Sequence, residues 1–196
     1  MATPRKPTTD AEIAAYTVGE VTPHDAAILV AEYDSAWPAM FEREARRIRS
    51  ALADGVVRLE HVGSTSVPQL AAKPLIDILL VVQDSSNEDS YVPALESAGY
   101  VLRIREPAWY EHRMFGSPDT TLNLHVFSSG CVEAGRMVAF RDWLRTHADD
   151  RARYERAKRE LAAREWKHVQ HYADAKTEIV ERILARASAA ADGRSR

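Results

Sequence analysis

The residues best suited to chemistry crowd into positions 57–82, VRLEHVGSTSVPQLAAKPLIDILLVV, where two apolar, strand-like runs flank a Gly-Ser-Thr-Ser turn and a lone carboxylate. A strand ending in Gly63-Ser64 offers small side chains and free backbone N–H groups, so a phosphate can approach closely without meeting a Cβ; Thr65 extends the same turn. Lys73 sits just before the second run and adds a cation at that end of the sheet. Asp77, inside the run, offers an oxygen ligand for a divalent cation. A glycine turn, a cation and a carboxylate are what phosphoryl or nucleotidyl transfer requires, because that chemistry is mostly positioning and charge neutralisation. A Gly-Ser turn alone more often just connects two elements, so its force comes from these partners.

Histidines supply a second set of candidates. His61 precedes the turn, His112 with Arg113 lies before a strand, and His125 alternates with Asn123 in LNLHVF, so several are expected to converge at one end of the sheet. Such a cluster suits transition-metal binding or general acid–base catalysis. For His61, a hydrogen bond that fixes the turn competes with catalysis, and strand alternation puts Glu60 and His61 on opposite faces. The planar fork of Arg113 suits a phosphate or carboxylate clamp, against the plainer reading of a salt bridge with Glu106 or Glu111. Trp109, in EPAWYEH, reads as a loop aromatic able to stack a base, whereas Trp37 and Trp143 sit in apolar helical patterns and read as core.

The elements that must hold these residues follow from periodicity. Residues 28–32 read as a short edge strand, and Met40, Phe41, Ala45, Ile48 and Leu52 recur at helical spacing before Gly55 stops the helix. Residues 56–62 and 75–82 read as strands, the second apolar on both faces except at Asp77, as a central strand must be. A helix near 90–98 ends at Gly99, a strand follows at 100–104, and the segments around 114–115 and 122–127 alternate in the strand period. Beyond Gly135 only helical spacing remains, with Ile179, Val180, Ile183, Leu184 and Ala187 as the stripe of the last helix. This order predicts an α+β fold: a small mixed sheet with packed helices over 11–135, then C-terminal helices over 136–187, with unordered ends at 1–10 and 188–196.

The 196 residues carry a formal net charge of −3, with 45% hydrophobic and 28% charged residues, enough for one medium domain with a buried core. That balance gives no strong nucleic-acid signal. The only cysteine, Cys131, excludes an internal disulfide and reads as a loop thiol rather than a nucleophile; with no signal-length or membrane-length apolar run, a cytoplasmic protein is expected.

The run EHVGSTSVPQLAAKPLIDILL resembles the signature of the GrpB family, whose members are similar in fold to the polymerase-beta-type nucleotidyltransferase superfamily. AEYDSAWPAMFEREA resembles the family's lead-in, EHRMF and NLHVF its later strand motifs, and FRDWLRTHADDRARYERAK its helical segment, so the resemblance spans about 28–187. It implies a nucleotidyltransferase-type sheet that binds a nucleoside triphosphate with magnesium at Asp77 and transfers a nucleotidyl or phosphoryl group to a small acceptor. Gly63, Ser64 and Thr65 would hold phosphates, Lys73 and Arg113 would neutralise charge, and His125 with Asn123 would orient the acceptor or move a proton. Arg141, Lys158, Tyr172 and Lys176 match positions recurring in the family, and the helices after the sheet commonly supply triphosphate-binding cations in the superfamily. The chain departs from the superfamily pattern at Leu79, where a second carboxylate is usual, and at Asn123 and His125, where a third is expected. The alternatives to an enzyme are therefore a binding module that turns nothing over, or an interaction protein with a residual pocket.

Overall fold

The structure, a computed structural model, describes residues 6–21 and 27–194. Five strands, β1 (Arg58–Val62), β2 (Ile76–Val82), β3 (Val101–Glu106), β4 (His112–Gly116) and β5 (Leu122–Ser128), form one sheet in the order β1-β2-β5-β4-β3. β2 runs parallel to β5, and the other three pairings are antiparallel. The sheet is mixed, and the fold is α+β.

Central placement follows from the side chains of β2. Ile76, Ile78, Leu80 and Val82 enter the core beneath α2 (Trp37–Leu52) and α3 (Val92–Ser97), where Trp37, Phe41, Ile48, Tyr91 and Leu95 meet them. Leu79 and Val81 point the other way and join Val62, Phe127 and Ala134 under α4 (Val132–Thr146). Each fully buried aliphatic side chain in such a strand contributes about 1.5–3 kcal/mol, so a strand apolar on both faces stays where both are covered. A third cluster joins Val67 and Leu70 to Leu144, Tyr154 and Ile183, tying the chain after β1 to α4, α5 (Ala148–Ala162) and α7 (Thr177–Arg194), with α6 (Val169–Ala175) between the last two.

The differences from expectation lie mainly at the ends. Helix α1 (Asp10–Tyr16) begins at the last residue of the segment expected to be unordered, because Thr9 and Glu12 form a reciprocal capping box that satisfies the first backbone donors. Residues 1–5 of that segment lie outside the described residues. At the other end α7 continues to Arg194, into the stretch expected to be unordered, since its alanines favour helix; residues 195–196 lie outside the described residues. The expected edge strand at 28–32 is a single bridge between Ala31 and Ala72. Among the described residues no helix is long and apolar enough to cross a membrane.

Candidate functional site

β1 is followed directly by Gly63, whose φ of 67° lies in the left-handed region that glycine adopts freely. A Cβ on Gly63 would stand 2.2 Å from Asp77 Oδ2, so the Asp77 carboxylate lies directly against the glycine backbone. A single helical turn, Ser64–Ser66, follows and is held from several sides. The Thr65 hydroxyl donates to the Leu75 carbonyl (3.0 Å), the Ser66 hydroxyl donates to the Gly63 carbonyl (2.6 Å), and the Arg145 guanidinium donates to the Ser66 carbonyl (2.8 Å). Ser64 meets the Tyr154 hydroxyl from α5. The turn is thus fixed before any ligand arrives; Thr65 and Ser66 are buried, while Gly63 and Ser64 remain partly open.

Strand register decides which side chains share a face with Asp77. Asp77 pairs with Asn123 and Leu79 with His125 across the parallel β2/β5 ladder, so Asp77, Asn123 and His125 lie on one face. The Asn123 Nδ2 donates to Asp77 Oδ1 at 3.2 Å, and His125 Nε2 lies 3.5 Å from the same oxygen. On the far side of His125, its Nδ1 is 3.1 Å from His112 Nε2, and His112 Nδ1 is 2.8 Å from Glu106 Oε2. The structure thus brings together Asp77, Asn123, His125 and His112.

The donor set fits a resident magnesium ion poorly. Magnesium favours several oxygen ligands in octahedral array, yet this pocket offers one carboxylate, one amide and one imidazole. Asp77 Oδ1 already accepts from Asn123, Oδ2 packs on Gly63, and the same-face neighbour Leu79 is fully buried. Among the described residues no three His, Cys, Asp or Glu side chains gather to hold a metal ion.

Cations approach the same pocket from the chain after the turn and from the C-terminal helices. Lys73 is half-buried, and burial pushes its ammonium below the ordinary lysine range; Asp77 opposes that shift and Lys176 adds to it. Lys158 on α5 is buried, donates to the Ala71 carbonyl and sits 4.9 Å over the Tyr154 ring. Burial first, then the neighbouring Lys176, push it down to about 7. The Lys176 ammonium itself rests 4.5 Å over the Tyr172 ring. Glu155, whose charge opposes the shift of Lys158, is also engaged by Arg159 and by the Ala71 N–H. Lys176 therefore acts on both Lys73 and Lys158; of these groups Lys73 also faces Asp77, while Glu155 offsets part of the burial of Lys158.

Three expected site residues are held elsewhere. His61 pairs with Ile78 and so points to the opposite face, where its ring stacks on Phe41 (4.9 Å, 7°) and its Nε2 meets Thr65 Oγ1 at 3.2 Å. Burial pushes the His61 imidazole down to about 4, keeping it neutral, and it serves the turn by packing and hydrogen bonding. Arg113 pairs with Val126, also on the opposite face, where it binds Glu88 (2.5 Å) and Glu111 (3.2 Å) rather than facing the pocket. Arg141 is buried under β1, donating to Glu60 (2.7 Å) and to the His61 carbonyl (2.9 Å). Trp109 packs edge-on against His112 (5.2 Å) and Phe127 (5.7 Å), forming a wall behind the histidines. Tyr154 was not singled out by sequence; its spacing of four from Lys158 on one helix face was the available signal.

The chain is similar to known proteins. It is 60% identical over 183 residues to a UPF0157 protein of Halalkalibacterium halodurans, covering 93% of this chain and 94% of that protein. It is 44% identical over 161 residues to a UPF0157 protein of Streptomyces coelicolor, covering 82% of this chain and 84% of the relative. The crystal structure of the conserved protein GrpB from Enterococcus faecalis superposes with a TM-score of 0.72 at 31% identity, over 81% of this chain and 96% of that one. Residues 27–186 match the family described as GrpB protein, and the chain belongs to the GrpB family.

Proposed function

We propose that the chain binds a nucleoside triphosphate or another phosphorylated ligand and transfers a nucleotidyl or phosphoryl group from it to the hydroxyl of a small acceptor. The phosphates lie over the Gly63–Ser64 backbone and against Lys73, Lys158 and Lys176, while Asp77, Asn123 and His125 hold the acceptor end. The observation that carries this reading is the grouping of three ammonium groups, one buried and two half-buried, with Lys176 acting on the other two and Lys73 facing the Asp77 carboxylate that packs on the glycine turn. Like charges held together out of water are unfavourable until an anion joins them, and polyphosphate is the anion that matches several lysines and a glycine-lined backbone at once. The family resemblance to nucleotidyltransferases points the same way. Since the donor set fits magnesium poorly, the charge is neutralised by the lysines.

Inorganic tripolyphosphate and ATP, each in EDTA, test the site. Both are expected to raise the melting temperature of the wild-type chain, and the rise is expected to fall sharply in Lys73→Met and Lys176→Met. A melting temperature indifferent to both anions refutes the reading. Leu79, in place of a second carboxylate, favours a second reading in which the same ligand is bound and nothing is turned over. Release of phosphate or pyrophosphate from ATP with a pool of small alcohols separates the two.

A further inference from the structure

The His112 and His125 rings lie within 21° of one another with centroids 5.3 Å apart, and the nearest ring nitrogens are 3.1 Å apart. Those figures describe two imidazoles joined edge to edge by an N–H···N hydrogen bond, not a stacked pair. Behind them Glu106 is the cross-strand partner of His112 and lies 2.8 Å from its Nδ1. His112 cannot turn away, since Phe127 covers one face of its ring at 4.7 Å and the Trp109 edge abuts it at 5.2 Å. The side chains of Glu106 and His112 are 8% and 4% exposed, whereas that of His125 is 19% exposed and that of Asp77 is 24% exposed, so the row opens only at the Asp77 end.

Proton positions along the row follow from hydrogen-bond valence. A carboxylate only accepts, so with Glu106 ionised His112 Nδ1 carries the proton. In the neutral ring His112 Nε2 must then accept, which makes His125 Nδ1 the donor and leaves the lone pair on His125 Nε2. That lone pair lies at the open end, 3.5 Å from Asp77 Oδ1. Among the described residues, Asp77 and Asn123 face it from neighbouring positions on β2 and β5 and, through His112, Glu106 from β3, while α4 lays Ala134, Met137 and Val138 on this face and its Arg141 is taken up by Glu60 over β1.

We infer that Glu106 and His112 are positioning residues that fix the tautomer and orientation of His125, so that His125 Nε2 takes the proton of the acceptor hydroxyl. The inference rests on the transfer reading above. In the step, the acceptor O–H bond breaks and its proton passes to His125 Nε2, while the acceptor oxygen forms a bond to phosphorus. The bond from phosphorus to the departing phosphate or pyrophosphate breaks, and its electron pair leaves with that anion against Lys73, Lys158 and Lys176. The imidazolium formed lies between Asp77 on one side and, through His112, Glu106 on the other.

Long-range proton–nitrogen correlation spectra of the full chain, labelled with ¹⁵N-histidine, read the tautomers directly. The expected result is that His112 and His125 both bear the proton on Nδ1, the minor form of free histidine. In Glu106→Gln the new amide can donate to His112 Nδ1, so the Nδ1–H signal of His125 is expected to be lost in favour of Nε2–H, although Glu106 does not touch His125. A glutamate serving only as packing would leave His125 unchanged. Wild-type His125 protonated on Nε2, or a His125 tautomer identical in the wild type and Glu106→Gln, overturns the inference. The wild-type spectrum needs no variant, and His112→Asn provides a second route if Glu106→Gln fails to fold. Melting of the same samples with tripolyphosphate keeps the two readings apart. Stabilisation with the wrong tautomer overturns the relay alone; the expected tautomers without stabilisation overturn the transfer site, and with it the proton transfer assigned to His125.

Discussion

Replacing Lys158 with methionine should stabilise the ligand-free protein at neutral pH, although it removes a hydrogen bond. Burial, with Lys176 adding to it, holds the Lys158 ammonium near 7 rather than 10.5. A depression of that size corresponds to about 4–5 kcal/mol of unfavourable free energy when the group is charged in the fold, at about 1.36 kcal/mol for each pH unit. Between about pH 7 and 10.5 the unfolded chain binds more protons at this group than the folded one, so its penalty is full below the window and fades as pH rises through it. Methionine keeps the length and carries no charge, but strands the Ala71 carbonyl at about 1–3 kcal/mol. The net gain near pH 7 is about 1–4 kcal/mol, which for a chain of this length raises the melting temperature by about 2–4 °C per kcal/mol. Calorimetry near pH 7 and near pH 10, with and without tripolyphosphate, provides the test. The variant should melt above the wild type at the lower pH, lose that advantage at the higher one, and lose most of its response to tripolyphosphate. A variant that is equally destabilised at both pH values, or one that keeps the full response, refutes the argument.

Gly63→Ala should cost about 2–4 kcal/mol in a urea titration, because its Cβ meets the Asp77 carboxylate at 2.2 Å and its φ is 67°; an unchanged midpoint contradicts that packing. Arg113→Gln should lose about 2–3 kcal/mol through its pairs with Glu88 and Glu111, yet leave the tripolyphosphate shift intact, and a lost shift would return Arg113 to the pocket. Arg105, then Arg113, hold Glu88 down to about 2, so the stability it provides is present above about pH 4.5 and is lost as pH falls towards 2. Glu88→Gln should therefore flatten acid unfolding in that window, and an unchanged acid limb by circular dichroism contradicts the pairing.

The sheet was legible because its signals are local. Apolar residues on both sides of Asp77 can be satisfied only in a covered strand, and alternation in LNLHVF put Asn123 and His125 on one face before any partner was known. Alternation also separates His112 from Arg113, but which of them faces Asp77 depends on the register of β4 against β5, and no short-range signal carries that. Arg141 and Lys158 sit in charged helical segments whose local pattern does not show burial; tertiary packing buries both, one beneath β1 and the other against the Ala71 carbonyl. The capping box at Thr9 and Glu12 was written in the sequence and marks α1, whereas the persistence of α7 to Arg194 rests on alanine propensity outlasting an apparently featureless tail.

The parallel seam between β2 and β5 has a consequence for the order in which this protein acquires its function. β1 and β2 can meet as one antiparallel pair across residues 63–75, and β3, β4 and β5 as a meander of sequence neighbours joined by shorter loops. Neither half contains the pocket: Asp77 belongs to the first, Asn123 and His125 to the second, and 46 residues separate Asp77 from the asparagine that bonds it. The pocket comes into being only when the two halves zip together, at the most non-local pairing in the sheet. A polyphosphate held across that seam would act as a clasp on the last step of folding, slowing the unzipping of the halves more than the fraying of either one.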